Sequence, residues 1–230
     1  AASDVYKRQG VNCGIMDQFA SVMGQKDHVI RLDCRDLSYE YFPFELGDYI
    51  VVLCDTRVKH ELASSEYNTR RKECEAGLEI CKKLFGVSSL RDVRMEDLEA
   101  HKDEFPETVY RRLHYVVGEV IRVERACEMM MAGDLEGAGR MMYATHYGLS
   151  KEYEVSCPEL DFLVEQTASD ENVIGARMMG GGFGGCTINL VKASYADAFI
   201  DKMKKAYKDR FGVDMKAYKT TVQDGCHEEF

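Results

Sequence analysis

Residues 180–185 read G-G-G-F-G-G, and no other stretch of the 230-residue chain restricts its fold as much. Five residues without a side chain in six positions sustain neither a helix nor a strand, because glycine gives up the most backbone freedom on ordering. The flanking stretches, Val173 to Met178 and Cys186 to Val191, are apolar and of strand length. The glycines therefore join two strands. Gly180, Gly182 and Gly185 satisfy G-x-G-x-x-G literally, yet a dinucleotide fingerprint needs a helix after the loop so that its N-terminus faces pyrophosphate. Cys186-Thr187-Ile188-Asn189-Leu190-Val191 is strand-like instead. There is no G-x-x-x-x-G-K-[ST], and the V-A-I-K, H-R-D and D-F-G elements that accompany a protein-kinase glycine loop are absent. Two uses of the loop remain: a tight hairpin with positive φ, or a bare backbone that lets a ligand approach and offers N–H groups to anionic oxygens. A turn alone explains one or two glycines, not five.

The rest of the chain supplies layers for that hairpin. His28 to Cys34 and Ser38 to Phe44 read as strands around a turn at Arg35 to Leu37, and Tyr49 to Cys54, Y-I-V-V-L-C, is a continuous apolar run typical of a strand covered on both faces. A domain boundary is placed near Leu46-Gly47-Asp48. A helix from Ser64 to Phe85 carries Cys74, Leu78, Cys81, Leu84 and Phe85 on one face. Another runs from Pro106 to Ala132 with a stripe of Val109, Leu113, Val116, Val120, Val123, Cys127 and Met130. Asp134 caps a third, which carries Leu135, Ala138, Met141, Met142 and Thr145, and Ser156-Cys157-Pro158-Glu159 starts a fourth. Beyond the glycine loop, a helix from Ser194 to Phe211 turns Phe199, Met203, Ala206 and Tyr207 inward, and Ala217 to Val222 is a last strand. The order predicts an α+β fold, with helices on one face of a mainly antiparallel sheet.

A net charge of −10, a pI near 5.2 and the lack of a basic stripe with interleaved aromatics argue against a nucleic-acid partner. The densest positive run, Arg70-Arg71-Lys72, is either a solvated helix face or a collector for an anion. Nine cysteines without a C-x-x-C pair or histidines at zinc spacing fit a reduced, cytoplasmic protein. No apolar run has membrane length, and no secretory signal is present. Residues 1–9 show no clear period and abut Gly10 abruptly, which reads as a non-native leader on a fragment.

A second stretch invites a chemical reading. Gly10 to Phe19, G-V-N-C-G-I-M-D-Q-F, sets Asp17 among small and apolar residues where Ile15, Met16, Phe19, Ala20 and Met23 begin a helical period that Gly24 ends. First-turn N–H groups and the helix dipole favour its ionised form. Asp17 either complements the dipole or handles a proton.

Four stretches together resemble the galactokinases of the GHMP kinase superfamily: C-G-I-M-D-Q at Cys13 to Gln18, S-E-Y-N-T-R-R-K-E-C at Ser65 to Cys74, Y-E-V-S-C-P-E-L-D at Tyr153 to Asp161, and G-A-R-M-M-G-G-G-F-G-G-C at Gly175 to Cys186. Met179 departs from the Thr usual in the last, which removes a loop hydroxyl. The family's upstream G-E-H-x-D-Y and G-L-S-S-S-A signatures do not occur here. The resemblance implies a GHMP kinase fold, with residues 10–47 as the end of an N-terminal domain and 48–230 as a C-terminal, ferredoxin-like domain of helices on an antiparallel sheet. It implies transfer of the ATP γ-phosphoryl group to the anomeric hydroxyl of galactose, with Mg²⁺ on the ATP phosphates and Asp17 as the base. Cys13, Gly14 and Tyr67 would line the sugar pocket, Gly181 and Gly182 would close over the sugar, and Gly182 and Gly184 would face the nucleotide. A monomer is implied. A kinase for N-acetylgalactosamine or arabinose, a galactose/ATP sensor and a plain interaction module are the competing readings, and the fragment alone is expected to be inactive.

Overall fold

The structure is a computed structural model and describes residues 14–58 and 63–226. The leader at 1–9 and Cys13 lie outside the described residues. Helix α1 (Met16–Met23) leads into an antiparallel hairpin of β1 (His28–Leu32) and β2 (Tyr39–Pro43), where Leu37 takes a left-handed φ of 64° at the turn. A four-stranded antiparallel sheet follows, built from β3 (Tyr49–Asp55), β4 (Val173–Met178), β5 (Cys186–Lys192) and β6 (Lys216–Thr220) in the order β4-β5-β3-β6. Helices α2 (Ala63–Phe85), α3 (Met95–Ala100), α4 (Glu107–Met131), α5 (Leu135–Lys151) and α6 (Pro158–Glu165) intervene between β3 and β4, and α7 (Ala196–Phe211) lies between β5 and β6. Strand, helices, two strands, helix, strand is the split β-α-β arrangement of ferredoxin-like sheets.

The apolar run of β3 decides how the layers stack. Val51 and Val52 are both buried, so consecutive residues face opposite sides of the sheet and both sides are covered. Val52, Cys54 and Val191 meet Leu163 of α6 and Phe199, Met203 and Tyr207 of α7 in one core. Val51, Leu53, Ile188 and Leu190 face the other way, toward α4 and α5. Helices α6 and α7 thus pack on one face of the antiparallel sheet, and the other face looks into a cleft that α4 and α5 also line. A second core gathers Cys81 of α2, Leu113 and Val117 of α4, Leu98 of the short α3, and Val93 and Phe105 from the turns on either side of it, a stretch with no helical period long enough to read. Leu84, expected inward, is 40% exposed; Gly77, Cys81 and Phe85 turn the inner face of α2 instead.

Helix α5 lies close enough to β4 that neither can carry a side chain at the crossing. A methyl group on Gly139 would overlap the backbone carbonyl of Ile174, and one on Gly175 would come within 2.6 Å of the Gly139 Cα. That intimacy positions the strand from which the glycine loop springs. Gly139→Ala gains at most about 1 kcal/mol of helix propensity, while overpacking against unyielding backbone costs about 1–3 kcal/mol. A net fall in the denaturant midpoint is expected. At Gly118 of α4 the added methyl meets the flexible tips of Met95, at 3.4 Å, and Arg122, at 3.8 Å, so Gly118→Ala should leave the midpoint unchanged or raise it. Equal responses of the two variants in a urea titration would contradict the close-packed crossing.

Candidate active site

The glycine loop folds over a strap of the chain rather than projecting freely. Met179 N–H donates to Cys186 O at 2.9 Å and closes the β4–β5 hairpin. From there Gly180, Gly182, Phe183, Gly184 and Gly185 all take positive φ, from 60° at Phe183 to 134° at Gly184. Phe183 alone among them carries a side chain, a disfavoured state for an aromatic residue. It is held there by its N–H, which donates to Val155 O at 2.7 Å, and by its ring, which packs on the core of Val155, Cys157, Leu160 and Met178. A side chain on Gly182 would overlap the Val155 carbonyl, and one on Gly184 would stand 2.6 Å from the Val58 carbonyl. These two glycines thus form the loop's inner edge. Its outer edge is bare: a Cβ on Gly180 or Gly185 would meet nothing within 4 Å, and one on Gly181 would meet only the Tyr67 ring, at 3.8 Å.

The strap beneath, residues 152–157, is fastened by buried cations. Arg112 of α4, with 2% of its side chain exposed, donates to Glu73 at 2.7 Å, to Glu154 at 2.6 Å and to the Glu152 carbonyl. Arg70 of α2 donates to Tyr153 O at 2.8 Å and Glu154 O at 3.1 Å. The bond from Arg112 and a further one from Arg111 hold the Glu154 carboxyl below its ordinary range, against the opposing effect of burial. Neither reading of Arg70-Arg71-Lys72 survives intact: Arg70 is turned inward onto backbone carbonyls, while Arg71 pairs with Glu75 on the surface and Lys72 is exposed. Tyr67, one turn before Arg70, points the same way, and this brings it to Gly181.

The root of the loop has its own anchor. His146 of α5 is 1% exposed; its Nδ1 accepts Met178 N–H at 3.2 Å and its Nε2 lies 3.2 Å from Asp161 Oδ1. Ser150 and Ser156 also donate to Asp161, at 2.7 and 2.5 Å. Burial alone would raise the Asp161 carboxyl, but the bonds from His146, Ser156 and Ser150 outweigh it and hold it down at about 2.

Asp17 sits in the first turn of α1, exposed, and its carboxylate makes no hydrogen bond or ion pair among the described residues. Gly14 just before it is exposed, with open space around its Cα. No residue of α1 is buried. The helix is tied down from the far end of the chain instead, where Gly225 N–H donates to Gly24 O at 2.8 Å, Cys226 N–H to Ser21 O at 2.7 Å and Lys26 N–H to Asp224 at 2.8 Å.

The arrangement offers an ionisable carboxylate, a tyrosine beside a bare glycine edge, and backbone N–H groups in a left-handed run of the kind that accepts anionic oxygens. Sequence reasoning brought out Tyr67 and the glycines but missed the strap's fasteners, Arg112 and His146, and Val58. The stretch Tyr153 to Asp161 held a signal, since it belongs to one of the four signature stretches. Behind the loop, α4, α5 and the sheet enclose an apolar cleft of about 730 Å³ that reaches Met179 and Gly180. Among the described residues, no three His, Cys, Asp or Glu side chains converge to hold a metal ion.

Residues 125–209 match the profile of the family GHMP kinases C terminal. The chain is 43% identical over 219 residues to the galactokinase of Thermotoga neapolitana, covering 95% of this chain and 60% of the relative, and 41% identical over 220 residues to that of Clostridium perfringens, covering 95% and 57%. It thus spans about three-fifths of the length of these curated relatives. The structure superposes on that of Lactococcus lactis galactokinase complexed with galactose with a TM-score of 0.91 at 35% identity, over 96% of this chain and 57% of that one. Residues 125–209 thus match the C-terminal family of the GHMP kinases, and along nearly its whole length the chain is similar to galactokinases.

Proposed function

We propose that the chain is the greater part of a galactokinase, which transfers the γ-phosphoryl group of ATP to the anomeric hydroxyl of galactose. The observation that carries this reading is the meeting of Tyr67 and Gly181, which belong to signature stretches more than a hundred residues apart. The galactose-bound relative from Lactococcus lactis supports the sugar. Asp17 accepts the proton of the attacking hydroxyl as the new O–P bond forms and the bond to the leaving ADP breaks, since phosphoryl transfer needs positioning and charge neutralisation more than covalent help. Among the described residues its carboxylate has no hydrogen-bonded partner, which suits that task. Cys13, outside the described residues, and Gly14 leave the sugar ring room, and Tyr67 bonds a sugar hydroxyl. Gly181 and Gly182 close over the sugar, and Gly182 and Gly184 serve the nucleotide through their N–H groups, their side-chain positions being taken by Val155 and Val58.

ATP supplies the phosphoryl group. Mg²⁺ would neutralise charge on the ATP phosphates; among the described residues no three His, Cys, Asp or Glu side chains converge to hold it. We read residues 10–47 as the end of an N-terminal domain and 48–230 as the C-terminal one; the family match at 125–209 lies within the latter. The eight cysteines among the described residues are all free, and burial pushes the Cys54 thiol up to about 12, in keeping with a reduced cytoplasmic protein. No helix among the described residues is long and apolar enough to cross a membrane. We take the protein to be a monomer.

The test is a phosphorylation assay on the full-length protein with galactose, N-acetylgalactosamine and arabinose. Galactose 1-phosphate should form fastest; preference for another sugar would move the specificity, and binding of galactose and ATP without turnover would make the protein a sensor. Asp17→Asn should lower kcat by about 10²–10⁴-fold while galactose still binds, as read by calorimetry. Near-normal turnover would remove Asp17 from the role of base. Tyr67→Phe should raise the KM for galactose several-fold, the worth of one hydrogen bond of about 0.5–1.5 kcal/mol, with a smaller change in kcat. An unaltered KM would leave Tyr67 as packing for the loop.

A further inference from the structure

We propose that His146 is a positioning residue for the glycine loop, and that it acts through one tautomer: Nδ1 bare and accepting Met178 N–H, Nε2 protonated and donating to Asp161. The inference rests on the reading above that this loop closes over the ligands. It begins with the edge of the sheet. Among the described residues strand β4 pairs with β5 alone, and Met179 N–H is the group directed to β5, at Cys186 O. Successive N–H groups along a strand point to opposite sides, so Met178 N–H points away from the sheet. Met178 is 1% exposed, and water cannot serve it. A buried edge donor needs an acceptor from elsewhere, and His146 Nδ1 is that acceptor.

The other side of the ring decides which nitrogen carries the proton. Asp161 receives the hydroxyl protons of both Ser150 and Ser156, which marks it as an ionised, accepting carboxylate, and Lys151 stands 4.0 Å from it. Its Oδ1 therefore takes the Nε2 proton, leaving the Nδ1 lone pair free for Met178. The assignment comes from the hydrogen-bond partners on both sides. Ser156 also adjoins Val155, whose carbonyl holds the loop's Phe183. One imidazole thus joins the root of the loop, two residues before Gly180, to the strap that holds its tip. A His with its proton on Nδ1 would set donor against donor at Met178 and release the root.

Two substitutions separate the halves of the ring in the full-length protein. His146→Asn places an amide oxygen near the Nδ1 position and keeps the acceptor; His146→Gln reaches the Nε2 position and keeps only the donor to Asp161. His146→Asn should retain kcat/KM within about 3-fold, whereas His146→Gln should lose about 10–100-fold, the scale of a displaced positioning element. The amides of Met178 to Gly185 should exchange faster in His146→Gln than in His146→Asn. In the unaltered protein, histidine-selective ¹⁵N spectra at pH 7.5 should show Nδ1 unprotonated and Nε2 protonated, the resonance being assigned by its loss in His146→Asn. A protonated Nδ1, or equal damage from both substitutions, would overturn the proposal. If His146→Gln does not fold, the nitrogen spectra still decide. Should the protein phosphorylate no sugar, the functional reading fails, while the spectra and the amide exchange judge His146 independently.

Discussion

The guanidinium of Arg112, withdrawn almost wholly from water, is the constraint on which the site depends. A buried cation is tolerated only when every face of it is answered, and removing one partner of such a set leaves an uncompensated charge inside the protein. Here the answers come from three places: Glu73 on α2, the Glu152 carbonyl and the Glu154 carboxylate of the strap. Helix α2, helix α4 and the strap therefore have one relative arrangement. Everything the loop touches inherits it, since Val155 lies one residue beyond Glu154 and Tyr67 lies on the same helix as Glu73 and Arg70.

Seen from that base, the five glycines divide their labour. Gly182 and Gly184 are small because the strap and Val58 leave no space, and Gly180, Gly181 and Gly185 are small on the side that faces outward. The strain of Phe183 at positive φ, of the order of 1–3 kcal/mol for a non-glycine residue, is offset by a buried ring and a 2.7 Å hydrogen bond. The loop's tip is thus held by the protein's own groups, which limits the ordering cost that ligand binding would carry.

How legible was this in the sequence? The β4–β5 hairpin was, because glycine punctuation between two apolar runs admits few alternatives. The starts of α5 and α6 were, because Asp134 as a cap and Pro158 at a first helical position act locally, and the Asp134 side chain does accept the Gly137 N–H, at 2.7 Å. The two-sided burial of β3 was readable from Tyr49 to Cys54. What escaped was the interior use of charge. Arg70, Arg112 and Glu154 look like surface residues to any pattern based on polarity, and their burial depends on partners up to 84 residues away. His146 escaped for the same reason: a histidine in an amphipathic helix gives no sign that a strand's edge donor will meet it. The site residues could be proposed only as a set, since each signature taken alone has an ordinary structural explanation.

The bonds from Asp224, Gly225 and Cys226 to α1 have a consequence for how the protein comes into being. A chain is made from its N-terminus, and α1 has no buried residue of its own to settle it early. The helix that carries Asp17 therefore gains these ties only after the last described residues have left the ribosome. Strand β2 holds the helix earlier, through the Tyr41 hydroxyl on Met23 O at 2.5 Å, so a change at Asp224, Gly225 or Cys226 would loosen the second of two fastenings, at Ser21, Gly24 and Lys26.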